Sequence, residues 1–106
     1  MSDMTANLEA MLARGADSAS LRYTLASKYR EAGELQRALT HANAALAFDA
    51  EYSAAWRLLG RVQAELGQAQ AAVQTYRRGI EVAERRGDKQ AAKEMRVFLN
   101  RLERPR

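Results

Sequence analysis

The chain has no cysteine, one histidine and one proline in 106 residues. Without cysteine there is neither a disulfide framework nor thiolate ligation of zinc, and a reducing compartment is permitted. A single imidazole, His41, cannot assemble the usual ligand sets for zinc, and the carboxylates are spread along the chain rather than clustered for calcium. Nucleophilic catalysis needs a base beside a Ser or Thr, and His41 reads as an isolated surface histidine on the outer part of a helix. No glycine loop stands between a strand and a helix to cradle phosphate. These absences leave no expected catalytic residue, cofactor or metal. The opening Met1 to Gly15 carries Asp3 and Glu9 and has no long apolar run, so it reads as neither signal peptide nor membrane span. A cytoplasmic protein is the expectation.

What is abundant is helix-forming. Ala, Leu, Glu, Gln, Arg and Lys dominate, β-branched residues are sparse, and Pro105 stands at the far end, beyond any packed region. With 47% hydrophobic residues the chain can fill one core but is too short for two. An all-α, single-domain protein follows. Its formal charge of +4 is unevenly placed. Eight of the 17 basic and four of the 13 acidic residues lie from Glu84 onward, leaving nine of each before it. The entire excess is C-terminal.

Glycines at 15, 33, 67 and 87 each close a stretch with helical spacing of Leu, Ala and aromatic residues, as left-handed residues just past a helix end do. Six helices are predicted near 3–14, 19–32, 35–48, 53–66, 69–86 and 89–103, with Ser18 and Asp88 as N-caps. Shifting the chain by thirty-four residues against itself lays Leu25 on Leu59, Ala26 on Gly60, Gly33 on Gly67, Ala38 on Ala72, Ala42 on Tyr76 and Ala45 on Gly79. Small residues face small ones and turn faces turn. A fixed period of this kind marks a solenoid, in which each helix pair buries its apolar stripe against its neighbours.

At these positions the chain resembles the tetratricopeptide repeat family. Residues 53–86 match its pattern with Trp56, Leu59, Gly60, Ala72 and Tyr76; residues 19–52 match with Leu25, Ala26, Tyr29, Ala38 and Ala45. The first repeat is the looser, with Arg22 at the Trp position, Ala42 at the aromatic one and Ala50 at the Pro one. The second lacks the Tyr (Gln63) and the Pro (Glu84). Met4, Leu8 and Met11 continue the register backward as a lone helix B, and, with a turn around Gly87 two residues longer, Ala92, Met95 and Leu99 take the Trp, Leu and Tyr positions of a final helix A. The resemblance therefore implies one domain over 1–106, arranged B, A-B, A-B, A: a half-repeat at 1–16, repeats at 19–52 and 53–86, and a cap at 88–104. Gly60 is expected to face Ala72 across a close A-B contact, with Trp56 largely buried. Arg22 is expected to lie with its stem over apolar surface and its head in water.

The resemblance also implies where function lies. Helix A residues of such proteins line a concave groove that takes an extended peptide or a helix from a protein partner. By position that groove holds Tyr23, Ser27, Arg30, Arg57, Arg61, Lys93, Val97 and Asn100: four basic residues and no acid. Arg57 and Arg61, four apart, share a helical face and offer forked donors to carboxylates. An acidic segment is the expected ligand. The clamp by which some relatives grip chaperone tails would fall on Tyr23, Ser27, Leu58, Gln90 and Glu94, none of the required type. Two other surfaces stand as alternatives. The C-terminal basic segment offers phosphate contacts to nucleic acid, although Phe98 is its one aromatic for stacking. The solenoid ends offer self-association, chiefly through the first helix, though a monomer is expected.

Overall fold

The computed structural model describes residues 3–104, so Pro105 and Arg106 of the basic segment lie outside the described residues. Six α-helices follow one another: α1 Asp3–Ala13, α2 Ala19–Glu31, α3 Leu35–Phe48, α4 Ser53–Glu65, α5 Ala69–Arg86 and α6 Lys89–Glu103. Three end one residue earlier than the sequence pattern predicts. All four turn glycines have positive φ, between 76° and 89°. At Gly87 this left-handed residue ends α5, a conformation that costs a side chain with a Cβ. Ser18 accepts from the Leu21 amide and Asp88 from the Ala91 amide, capping α2 and α6 as expected.

Packing follows chain order. Helices α2 and α3 form one antiparallel pair and α4 and α5 the next, α3 packs on α4 and α5 on α6, and α2 reaches α4 as α4 reaches α6. The all-helical tetratricopeptide architecture is thus present, with α2, α4 and α6 as successive A helices. One core cluster gathers Leu21, Leu25, Ala26, Tyr29, Ala38, Ala42, Leu58, Leu59 and Val62. Another gathers Ala72, Tyr76, Ile80, Ala83, Ala91, Ala92 and Met95. Both glycines at close contacts face side chains rather than open space. A Cβ on Gly79 would stand 2.6 Å from the Met95 sulfur and 2.8 Å from the Trp56 Cβ.

Several packing expectations need correction. The Gly60 gap is filled not by Ala72 but by the Tyr76 ring, 2.4 Å from where a Cβ would stand. The thirty-four-residue shift lays Tyr76 on Ala42, so the second repeat fills with one ring what the first leaves small. Trp56 is only half-buried, because its indole N–H reaches out to the Ala50 carbonyl at 2.8 Å. In α1 the covered stripe is Thr5, Leu8 and Leu12, while Met4 and Met11 are exposed. A helix with one main neighbour buries a single stripe, and here it is rotated by one residue.

His41 is not a surface residue. It is buried, stacked on the Tyr29 ring at 5.5 Å, with Nδ1 3.1 Å from the Arg22 guanidinium and Nε2 3.8 Å from a Glu9 carboxylate oxygen. Arg22 does not end in open water either, since Asp17 holds it through two hydrogen bonds of 2.8 Å. An arginine has only N–H donors, so His41 Nδ1 must accept and the ring is neutral with its proton on Nε2. Burial lowers the His41 pKa below 6.5, and the Arg22 cation works in the same direction. The looser first repeat thus replaces an aromatic contact with a polar knot joining α1, α2 and α3.

Candidate functional site

Because α2, α4 and α6 contact one another in sequence, the side chains on their common face converge on one concavity. It has a volume of about 590 Å³, and its walls are Tyr23, Ser27 and Arg30 from α2, Arg57, Leu58 and Arg61 from α4, and Gln90, Lys93, Glu94, Val97, Phe98 and Arg101 from α6. Seven of the eight residues picked by position stand here. Asn100 does not: it is exposed and outside the groove. Lys93, Val97 and Arg101 are spaced four apart, and that spacing selects Arg101 instead of Asn100 as the third residue of the α6 face.

The electrostatics also differ from expectation, because Glu94 lines the groove and Glu65 reaches one of its arginines. Arg30 makes a two-pronged pair with Glu65 at 2.7 and 2.8 Å, and Arg57 reaches Glu94 at 2.7 Å. Burial works against the Arg57 charge, yet the Glu94 carboxylate and the Tyr23 hydroxyl outweigh it and raise its pKa. Gln90 donates to the other Glu94 oxygen, and this bond together with the Arg57 cation holds the Glu94 carboxyl below its ordinary range. Two of the cations are therefore already neutralised by bonds between neighbouring repeats. Lys93, Arg61 and Arg101 have no ion-pair partner among the described residues. Arg61 and Arg101 instead each lie 5.7 Å from the centroid of the Phe98 ring.

Elsewhere two cations of the C-terminal segment are spent internally, and one of its acids is met from α5. Arg85 holds Glu51 through two hydrogen bonds, Arg96 pairs with Glu84, and Arg77 pairs with Glu103. Among the described residues no three His, Asp or Glu side chains come together to hold a metal ion, and no helix is long and apolar enough to cross a membrane.

No family model matches the chain. A TPR repeat-containing protein of Pseudomonas aeruginosa is 44% identical over 103 residues, which is 97% of this chain and 98% of that one. The solution structure of a Bordetella parapertussis protein superposes with a TM-score of 0.84 at 45% identity, covering 96% of this chain and 89% of the other. The crystal structure of a tetratricopeptide repeat domain protein from Salinibacter ruber does so at 0.77 and 26% identity, covering 82% and 97%. Identity at this level over nearly the full length of the Pseudomonas protein, with the helix order and period already described, leaves one assignment: the chain belongs to the tetratricopeptide repeat family, whose fold is that of a protein–protein interaction module.

Proposed function

We propose that the chain is a single scaffold domain that docks an acidic segment of a partner protein, extended or helical, in the groove between α2, α4 and α6. The observation that carries this reading is the set of three cations left without an acidic partner, Arg61, Lys93 and Arg101, on one concave wall. Charge of one sign in a concavity focuses the field and raises the encounter rate with opposite charge. It governs on-rate and specificity more than affinity. Tyr23, Ser27 and Val97 supply neutral contacts along the same wall, and the Arg30–Glu65 and Arg57–Glu94 pairs hold neighbouring A helices at a fixed spacing. No catalytic role is assigned to any of these side chains.

Charge reversal tests the reading. Arg61→Glu with Lys93→Glu alters two exposed side chains, so helix content should be unchanged. Partner affinity should fall at least tenfold, about 1.4 kcal/mol, and binding to the unaltered protein should weaken as salt rises. If the reversed protein binds its partner as before while neutralising Arg86, Lys89 and Arg104 abolishes binding, the basic outer surface of the C-terminal segment is the working site instead.

A further inference from the structure

At its C-terminal end the groove opens into a second cavity of about 280 Å³, walled by Ala64 and Arg61 from α4, Tyr76 from α5, and Phe98, Arg101 and Leu102 from α6, with Glu65 at its edge. The two spaces share Arg61, Phe98 and Arg101, so a segment lying in the groove can send a side chain into the cavity. Building on the acidic-segment reading, we infer that this cavity is an anchor pocket for one large apolar side chain of the partner, flanked on the partner by carboxylates that Arg61 and Arg101 receive.

Three features carry this. The walls other than the two arginines are apolar or aromatic, and the one acid at the edge, Glu65, has both carboxylate oxygens committed to Arg30. The pocket thus offers hydrophobic contact to its occupant and no free negative charge. Its floor is rigid. Tyr76 is 1% exposed, wedged against Gly60, and stacked on Phe98 with ring centroids 5.8 Å apart. A buried aromatic pair held in this way is preformed, so a ligand need not order it.

The third feature is the pair of cations itself. Both guanidinium groups lie against one ring, each 5.7 Å from its centroid, and neither has an ion-pair partner among the described residues. A carboxylate placed at the mouth would supply the missing counter-charge and accept forked hydrogen bonds from the arginines. An apolar side chain entering beneath it would cover the Phe98 ring and strengthen those bonds by excluding water. Neither a purely acidic ligand nor a purely apolar one satisfies both halves of the site. A protein segment with an aromatic or large aliphatic residue between acids does.

Selection from a phage-displayed library of random nonapeptides on the whole immobilised chain tests this. The unaltered protein should enrich sequences with Phe, Leu, Ile or Trp next to Asp or Glu. Ala64→Leu, which fills the pocket without changing charge, should lose the apolar preference and keep the acidic one. Arg61→Gln with Arg101→Gln, at exposed positions, should lose the acidic preference beside the anchor. For one enriched peptide, replacing its apolar residue by Ala should weaken binding about tenfold to the unaltered protein and much less to Ala64→Leu. Acidic peptides selected with no apolar residue would overturn the anchor pocket while leaving the groove reading intact. Apolar peptides without acid, or enrichment that neither the pocket variants nor Lys93→Glu disturbs, would overturn both.

Discussion

Gly60→Ala is the sharpest test of how the second repeat is packed, because two effects of similar size oppose each other there. In an exposed helix interior, exchanging Gly for Ala stabilises by about 0.5–1 kcal/mol. At Gly60 the new Cβ would stand 2.4, 2.7 and 2.8 Å from three atoms of the Tyr76 ring. Ordinary carbon contacts lie near 3.5–4.0 Å, so the ring must retreat by about 1 Å. It has little room to do so, being 1% exposed and stacked on Phe98. Overpacking of this kind costs about 1–3 kcal/mol, and the larger part of that range exceeds the propensity gain. A net loss of about 1 kcal/mol is expected, which for a chain of this length lowers Tm by about 4–8 °C. Thermal melts followed by circular dichroism at 222 nm, with urea titrations at 25 °C, measure it. The cycle with Tyr76→Leu isolates the cause: without the ring, Gly60→Ala should become neutral or stabilising. A melt at or above that of the unaltered protein, or an equal penalty in the Tyr76→Leu background, would refute the steric account.

Three other outcomes follow from the same contacts. His41 binds its proton less readily folded than unfolded, so stability should be level above pH 6.5 and fall as pH drops below it toward the lowered folded value. The slope of ΔG in urea between pH 7.5 and 5 should flatten in His41→Gln, and an unchanged slope would place the pH dependence elsewhere. Asp88 caps α6 through Ala91 and also accepts from the Ser53 hydroxyl at 2.7 Å; Asp88→Ala should cost about 0.5–2 kcal/mol in urea unfolding, with Ser53→Ala costing less. Gly79→Ala meets the Met95 sulfur and the Trp56 Cβ. The sulfur can turn aside but a Cβ cannot, so Tm should fall at least as far as for Gly60→Ala.

The order of helices is legible in the sequence because the signals that set it are local or strictly periodic. A left-handed glycine after four of the six helices, small residues recurring thirty-four apart, and an acid or hydroxyl at an N-cap each act within one turn or one repeat. What misleads is anything that depends on which residue fills a gap. Gly60 announces that something approaches closely, but whether Ala72 or Tyr76 does so depends on the rotation of α5, which one repeat alone does not fix. The first helix illustrates the same limit: Met4, Leu8 and Met11 form a plausible apolar stripe, yet Thr5 and Leu12 turn inward with Leu8, against α2 as the main neighbour and with Glu9 reaching His41 of α3. His41 misleads for a related reason. A polar residue on a helix looks solvated until its partners are known, and those partners come from the two preceding helices, with Arg22 nineteen residues away.

The charge of the groove escapes a helix-by-helix reading for a reason that the period itself makes visible. In a solenoid, residue i of one repeat stands beside a residue about one period onward in the next. Four side-chain bonds between repeats follow this: Arg30 to Glu65 spans 35 positions, Ser53 to Asp88 35, Arg57 to Glu94 37, and Arg85 to Glu51 34, whereas the pairs Arg96–Glu84 and Arg77–Glu103 span 12 and 26. Opposite charges at that offset are candidates for neutralisation across the repeat boundary, but spacing alone does not decide it: Glu65 and Arg101 are 36 apart, yet Glu65 is held by Arg30. Applied to α4 and α6, the offset leaves Arg61 facing the neighbourhood of Phe98, with no acid between 95 and 98. At the same offset Lys93 faces positions 56 to 59 of α4, which hold no acid, and Arg101 faces Glu65, which Arg30 already holds. The paired cations rigidify the wall and the unpaired ones remain available to a ligand. Reversing Arg57, whose charge is already met by Glu94, should therefore disturb folding more and partner binding less than reversing Arg61. Parallel urea titrations and partner-affinity measurements on Arg57→Glu and Arg61→Glu would refute this division of roles if the two variants ranked the other way.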